Sequence, residues 1–456
     1  MAIRRIPAQS ERPLWPAAAG EEFFKSLREC AGLEPDANFL SVLVRVCSRY
    51  AFWYRPCPFV QAAVPVPPRG RWGDGPRIGL FVDSPDHLSG VARTLGNWQR
   101  EADRTGVALH MHGTAPRPTG GGPMTVFPAV GTFGMTAYDG LHLHVPPLRD
   151  VVRYVRQAEF DVLHLSTPGP MGLAGLLAAR LNGRPVVSTF HTHFPSYAAR
   201  LLKDPAMEEL TWTMMRWFYR QMDMVAAPTP TIRDELIARG CLPHKVRVVG
   251  RGVDTERFHP RHRNPALRNH HAHQARGVLL YVGRLSEEKN LPLLVDAYTR
   301  LAGTRRDMAL WVVGDGPYRA RMETQLAGLP VHFFGVLQGA ALSEVFASAD
   351  VFVFPSETDT LGNVVLEAQA SGLPVIVSDV GGPKDCIRDG VTGLVISAIT
   401  AEKLASVVGE LGAQPGRRHD LGAAARAYSR RFTHAASFEA FRRLHDDAIA
   451  ARAARV

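Results

Sequence analysis

Two acidic residues, Asp359 and Glu367, follow a short apolar segment that is typical of a buried strand in a parallel sheet. That segment, 351–354, reads VFVF, and the apolar residues of 364–370 then predict a helix that carries Glu367. The acids are eight positions apart, so if the whole span were helical, the carboxylates would lie near one face, about 12 Å apart at about 1.5 Å per residue. Such a pair suits an extended polar ligand, although a solvated surface acid is an equally open interpretation of Glu367 alone.

Two basic residues, Arg284 and Lys289, occupy the loop between a second predicted strand, 277–282, and a predicted helix, 291–301. They are five residues apart and can point at one ligand above the sheet. A forked guanidinium and a mobile ammonium group together suit a diphosphate. Spacing alone also allows two solvated surface charges.

Two motifs in these loops resemble those of family 4 glycosyltransferases, which have the GT-B fold: 283–290, GRLSEEKN, and 358–368, TDTLGNVVLEA. The second motif is similar to that of the branch containing alpha-mannosyltransferases and sulfoquinovosyl- or glucosyl-diacylglycerol synthases. Most members have Glu where this chain has Asp359. The similarity covers about residues 77–440.

The resemblance implies a binding site for a nucleotide-sugar donor. Glu367 would bind the ribose, and Asp359, together with the backbone amides near Leu361, Gly362 and Asn363, would hold sugar hydroxyls. Arg284 and Lys289 would bind the diphosphate. The further donor-binding positions implied by the resemblance are Gly90, Gly283, Gly314 and Val336, the last beside the nucleotide base.

The N-terminal half contributes a strand, 77–82, whose following loop carries Asp83 and Gly90. The loop is not GxGxxG, so dinucleotide binding is not indicated. It resembles the first loop of the family, in which Gly90 would meet the donor and Asp83 is a second candidate.

A second loop, 191–197, reads HTHFPSY and resembles a family segment whose His faces the sugar. This gives His191 a catalytic role, whereas His193 stands where Asp is usual and bears on acceptor or sugar choice. The two imidazoles have no carboxylate partner nearby in the sequence, which makes them a poor metal signal. A loop histidine bonded to backbone remains the alternative.

Bulk properties limit the function classes. The 456 residues allow two or three domains, and 46% of them are hydrophobic. A net charge of +10 fits an anionic partner such as a nucleotide diphosphate or anionic lipid. The sequence contains no recognisable nucleic-acid-binding motif, so we expect no nucleic-acid partner. Five scattered cysteines without a CxxC pair argue for a reducing compartment and against a zinc site.

The sequence predicts a cytoplasmic protein, because it has neither the apolar core of a signal peptide nor an apolar run of eighteen residues. The apolar segment 39–54 also carries Arg45 and Arg49. We favour a helix packed on the main body, and a helix lying on the inner face of an anionic membrane remains open.

The predicted fold is α/β of the GT-B type: two facing Rossmann-like domains with a deep cleft between them, preceded by an N-terminal extension. The predicted segments are the extension at 1–75, an acceptor domain at 76–258, a linker at 259–276, a donor domain at 277–432, and a C-terminal helix at 433–456 that packs back on the first domain.

The predicted activity is that of a retaining glycosyltransferase that moves a hexose from a donor of the GDP-mannose or UDP-glucose type to a lipid or glycan acceptor. The sequence lacks a carboxylate pair typical of hydrolases. It also lacks a DxD on a predicted donor loop, so we expect no obligatory metal and no cofactor. Two alternatives remain: a nucleotide-sugar epimerase, and a non-catalytic nucleotide-sugar-binding scaffold, which the departures at Asp359 and His193 keep open.

Overall fold

Short apolar segments build two separate parallel sheets in a computed structural model of the chain. The structure describes residues 75–83, 90–116, 124–134, 142–202, 204–272, 275–305 and 307–454. The predicted extension at 1–75, including segment 39–54, lies outside the described residues apart from Gly75.

The first sheet has seven parallel strands in the order β3-β2-β1-β6-β7-β8-β9. Its inner strands are buried along their whole length because helices cover both faces. A separate antiparallel pair is formed by β4 and β5. These strands are β1 (Ile78–Phe81), β2 (Leu109–Ala115), β3 (Met124–Pro128), β4 (Gly131–Gly134), β5 (His142–Val145), β6 (Val162–Leu165), β7 (Val186–Thr189), β8 (Met224–Ala227) and β9 (Val246–Val248).

The second sheet has six parallel strands in the order β12-β11-β10-β13-β14-β15. In both sheets the strand order reverses beside the first strand, and ligands of such sheets bind at the carboxyl ends of the strands at this point. The strands are β10 (Gly277–Val282), β11 (Met308–Val313), β12 (Val331–Gly335), β13 (Val351–Phe354), β14 (Val375–Ser378) and β15 (Gly393–Ile396).

Helices connect the strands and pack on the sheets. In the described residues they are α1 (Gly90–Thr105), α2 (Leu148–Ala158), α3 (Pro170–Leu181), α4 (Phe194–Leu202), α5 (Ala206–Arg220), α6 (Pro230–Ala238), α7 (Pro265–His271), α8 (Leu291–Thr304), α9 (Arg319–Gln325), α10 (Gly339–Ser348), α11 (Asn363–Ala370), α12 (Ala401–Ala413), α13 (Pro415–Ser429) and α14 (His434–Ala453).

The last helix, α14, crosses from the second sheet to the first. Phe438, Phe441 and Leu444 are buried in one apolar cluster with residues of the first sheet and α1. The indole of Trp98 on α1 donates to the Ser437 hydroxyl at 3.1 Å. The C-terminus therefore closes the core of the first sheet.

The main differences from the sequence-based prediction are helices that it did not include. The prediction did not include α2, α4, α7, α9 and α10. The segment predicted as a linker contains α7, whose first N–H groups are capped by the Asn264 side chain. The helix that carries Glu367 begins only at Asn363, so the helical spacing assumed for Asp359 and Glu367 was wrong. None of the described helices is both long and apolar enough to cross a membrane.

Candidate active site

Two loops at the carboxyl end of the second sheet meet in an ion pair. Lys289 follows β10 and Asp359 follows β13, and their Nζ and Oδ2 atoms are 2.8 Å apart. The Lys289 ammonium also donates to the Tyr197 hydroxyl of α4 at 2.8 Å. The strand order puts β10 beside β13, which is why residues seventy positions apart are in contact.

The Lys289 ammonium is held in its charged form. Burial acts to lower its pKa, but the Asp359 carboxylate and the Tyr197 hydroxyl outweigh that effect and raise the pKa well above its usual value. The Lys289 side chain is therefore positively charged at any physiological pH.

Glu367 lies on the buried face of α11 and forms an ion pair with the first α/β unit. Its Oε1 accepts from Arg93 of α1 at 2.7 Å. Its Oε2 is buried and has no hydrogen-bond partner among the described residues. Burial raises the pKa of Glu367, whereas Arg93 and, more weakly, Arg257 lower it. One carboxylate oxygen thus remains available to accept a ligand hydroxyl.

The N-terminus of α11 contacts the first unit. Gly362 precedes the helix with a φ of 80°, a left-handed conformation that favours glycine, and no described side chain caps the helix. The Leu361 side chain is buried in the core of the second unit, so its backbone is the part that can meet a ligand. The Asn363 side chain donates to the Gly90 carbonyl at 3.4 Å.

Arg251, on the segment after β9, lies beside these groups. Its Nη1 donates to the Asn363 side-chain oxygen at 3.3 Å. A Cβ added to Gly90 would lie 3.8 Å from Arg251 Nη1 and 3.6 Å from Asn363 Nδ2. The predicted donor residues Gly90 and Asn363 therefore do come together, with an arginine that the sequence analysis had given no role.

His191 is buried where the two units meet. Its backbone carbonyl accepts from the Thr360 hydroxyl at 2.8 Å, and its ring packs 6.0 Å from that of Trp98. Neither ring nitrogen has a hydrogen-bond partner among the described residues. Burial, assisted by the Arg251 charge, keeps the pKa of His191 well below its usual value, so the imidazole is neutral.

His193 has a structural explanation. Its Nδ1 accepts from the Ser196 N–H at 3.2 Å, as an N-cap residue of α4 does. Its Nε2 lies 3.0 Å from the Glu235 carboxylate on α6. An aspartate at this position could supply the same cap, and the imidazole adds a contact between two helices.

The remaining predicted site residues line the loops after β10, β11 and β12. A Cβ on Gly314 would collide with the Gly283 carbonyl, so this pair brings two loops into close contact. Arg284 lies on the same loop as Lys289, and its backbone carbonyl accepts from Tyr281. The Val336 side chain is 64% exposed, which leaves an apolar surface next to the loop ends.

Asp83, the second candidate of the first loop, binds the protein backbone. Asp83 is buried and accepts from the Thr167 hydroxyl and the Met171 N–H, at the start of α3. Burial raises its pKa to about 6 against the hydrogen bonds that lower it. The glycine pair after β14, Gly381 and Gly382, packs on the acidic loop. The Gly382 N–H donates to the Asp359 carbonyl, and a Cβ on Gly382 would collide with the Thr360 carbonyl.

Further hydrogen bonds join the two α/β units around this site. Asp385 accepts from the Thr231 N–H at 2.7 Å and from its hydroxyl at 3.0 Å, near the start of α6. The Thr229 hydroxyl donates to the Thr360 carbonyl at 3.2 Å. Within the described ranges, no group of three metal-ligating side chains is suitably placed to hold an ion.

Two facing Rossmann-like units, with cations and carboxylates where they meet, define a protein of the GT-B class. Residues 88–257 match the family described as Glycosyltransferase Family 4, and residues 264–428 match Glycosyl transferases group 1. The chain belongs to these glycosyltransferases, enzymes that transfer a sugar from a nucleotide sugar.

Three curated proteins show the range of its relatives. Sulfoquinovosyl transferase SQD2 of Arabidopsis thaliana is 31% identical over 78% of this chain and 70% of its own. A GDP-mannose-dependent alpha-mannosyltransferase of Mycobacterium tuberculosis is 38% identical over 60% of this chain and 68% of its own. Alpha-monoglucosyldiacylglycerol synthase of Streptococcus pneumoniae is 26% identical over 66% and 70%.

Solved structures support the fold. Anabaena HepE, crystallised with UDP and glucose, superposes with a TM-score of 0.63 at 20% identity, over 80% of this chain and 97% of its own. Sucrose-phosphate synthase of Thermosynechococcus elongatus gives 0.65 at 19% identity, over 82% and 100%. The GT-B prediction is thereby confirmed.

Proposed function

We propose that the protein is a retaining hexosyltransferase that uses a donor of the GDP-mannose or UDP-glucose type and a lipid or glycan acceptor, without an obligatory metal. The observation that carries the proposal is that two contacts join charged loop and helix residues of the second unit to the first. Lys289, paired with Asp359, donates to Tyr197, and Glu367 accepts from Arg93. The relative that is 38% identical has GDP-mannose in its name, and the streptococcal relative has diacylglycerol in its name.

The leaving group determines the role of the cations. Breaking the bond between the anomeric carbon and the phosphate oxygen leaves negative charge on the diphosphate. Lys289 and Arg284 would stabilise that charge more strongly in the transition state than in the ground state. Each contact would contribute about 2–4 kcal/mol, the usual effect of one such donor.

Other groups would orient the donor. The free Oε2 of Glu367 would accept a ribose hydroxyl, and Asp359 with the backbone amides at the start of α11 would hold sugar hydroxyls. Neutral His191 would share a hydrogen bond with the sugar, and exposed Val336 would contact the base. The acceptor hydroxyl would attack from the face that the diphosphate leaves and would pass its proton to a leaving phosphate oxygen, which gives retention.

We further propose the division into an acceptor domain at 76–258, a linker at 259–276, a donor domain at 277–432 and a C-terminal helix at 433–456. A lipid acceptor would require contact with the inner face of the membrane, for which the net charge of +10 is favourable. A cytoplasmic location fits a nucleotide-sugar donor.

Calorimetry with GDP, UDP and ADP would identify the base, and transfer from the matching sugar nucleotides to a membrane lipid extract would identify the reaction. We expect an alpha-linked product, detected by NMR, and undiminished turnover in EDTA. Arg284→Gln should lose turnover while remaining folded. Arg300→Gln, at an exposed helix position, should keep the turnover of the wild type. Release of a free epimer would favour the epimerase, and binding without transfer would favour the scaffold.

A further inference from the structure

One buried cation next to the proposed donor site is incompletely paired. Arg251 is 8% exposed, and its Nη2 is buried without a hydrogen-bond partner among the described residues. Leaving a guanidinium nitrogen unsatisfied inside a protein is costly. Arg251 also lies on an irregular segment after β9 rather than in a helix or strand that needs it for packing.

Three residues around Arg251 belong to the proposed donor site. Nη1 donates to Asn363 at the start of α11, and Gly90 lies against the same nitrogen. The buried ring of His191 is close enough for the Arg251 charge to lower its pKa. A buried arginine placed among such groups is positioned for a ligand.

Arg251 keeps its positive charge. Burial lowers the pKa of Arg251 to about 10, and the Asp359 carboxylate opposes that effect, so the side chain stays charged at neutral pH. Asp359 is already paired with Lys289. One carboxylate thus serves two cations, and the excess positive charge favours an anionic ligand.

We propose that Arg251 binds the donor diphosphate through Nη2, at the phosphate that bears the sugar. This inference depends on the proposed function, since it assumes a nucleoside-diphosphate donor. A neutral sugar hydroxyl would satisfy the hydrogen bond but not the charge. The start of α11 and Gly90 lie beside the same guanidinium, and backbone N–H groups at a helix N-terminus are suited to phosphate. Arg251 would therefore act with Arg284 and Lys289 on the leaving group.

The test compares a nucleoside diphosphate with its monophosphate. Calorimetry would measure GDP against GMP, and UDP against UMP, for the wild type, Arg251→Gln, Arg251→Lys and the surface control Arg300→Gln. We expect Arg251→Gln to weaken diphosphate binding about tenfold or more, the effect of one charge-assisted hydrogen bond, and to leave monophosphate binding unchanged. Arg251→Lys keeps the charge but loses the fork, so it should show a smaller loss.

Monophosphate affinity reports whether each variant still folds. Equal losses for both nucleotides would indicate a structural strut between the two units and would overturn the proposal. Unchanged diphosphate affinity would also overturn it. So would a loss confined to the KM of a phosphate-bearing acceptor, because Arg251 would then bind the acceptor and not the donor. A wild type that binds none of these nucleotides would refute the proposed function, and this inference with it.

Discussion

The substitution Lys289→Met removes the positive charge of the side chain but keeps most of its volume. The Lys289 and Asp359 side chains are 10% and 22% exposed, with 2.8 Å between Nζ and Oδ2. Removing one partner of a buried pair costs about 3–5 kcal/mol. Because Asp359 keeps part of its hydration, we expect Lys289→Met to lower the free energy of unfolding by about 2–3 kcal/mol.

The same change should reduce turnover more than donor binding. If the ammonium stabilises the departing diphosphate, kcat should fall by about 10²–10³, as when one donor to a developing anion is removed. The unfolding free energy would be measured in urea, kcat by release of the nucleoside diphosphate, and the donor dissociation constant by calorimetry. Lys403→Met, at an exposed position of α12, is the matched control.

The double variant Lys289→Met with Asp359→Asn distinguishes the effect of the Lys289 charge on protein stability from its effect on turnover. It removes both charges, so most of the lost stability should return, whereas turnover should stay low. A double variant that is both stable and active would refute the leaving-group argument. So would Lys289→Met with wild-type turnover.

Three further changes test neighbouring parts of the site. Arg93→Met removes the cation that lowers the pKa of Glu367, so that pKa should rise further. Glu367 would then become protonated at a higher pH as the pH is lowered from 8 to 5, and nucleotide affinity should decrease at a higher pH than in the wild type. Superimposable affinity profiles would contradict this. Gly382→Ala would force the acidic loop to move and should impair donor binding, whereas Gly303→Ala, with open space around it, should leave binding unchanged and raise the melting temperature. Burial raises the pKa of Asp83 from 3.8 to about 6 in the folded protein, so the stability that its protonated form contributes is complete below pH 3.8 and is lost as the pH rises through 6. The loss should be about 3 kcal/mol, at 1.36 kcal/mol per pKa unit. The free energy of unfolding in urea, measured against pH, should show this loss in the wild type but not in Asp83→Asn, and parallel curves for the two proteins would argue against it.

Much of the fold was predictable because the buried strands of parallel sheets are short, almost wholly apolar segments. The predicted strands at 277–282 and 351–354 coincide with β10 and β13. Thr229, of a residue type favoured at helix N-caps, accepts from the Ile232 N–H at the start of α6. Helices α7 and α9 escaped prediction because seven residues are too few for a clear apolar period.

The site was predictable where the residues lie on loops after strands, as Lys289 and Asp359 do. Their pairing follows from the adjacency of β10 and β13, which the local sequence does not encode. Arg93 gave no sequence signal, because an arginine on a helix is usually a solvated surface residue. It meets Glu367 because folding brings α1 of the first unit within ion-pair distance of α11 of the second.

The sequence by itself determined the types of groups available, the strands that place them at loop ends, and the family to which the chain belongs. Only the tertiary structure decided which charges meet: Asp359 pairs with Lys289, and Glu367 pairs with Arg93. It also decided that Nη2 of Arg251 is buried without a hydrogen-bond partner among the described residues. The physical reason is that electrostatic and hydrogen-bond energies depend on distance and burial, which contacts between residues far apart in the chain establish.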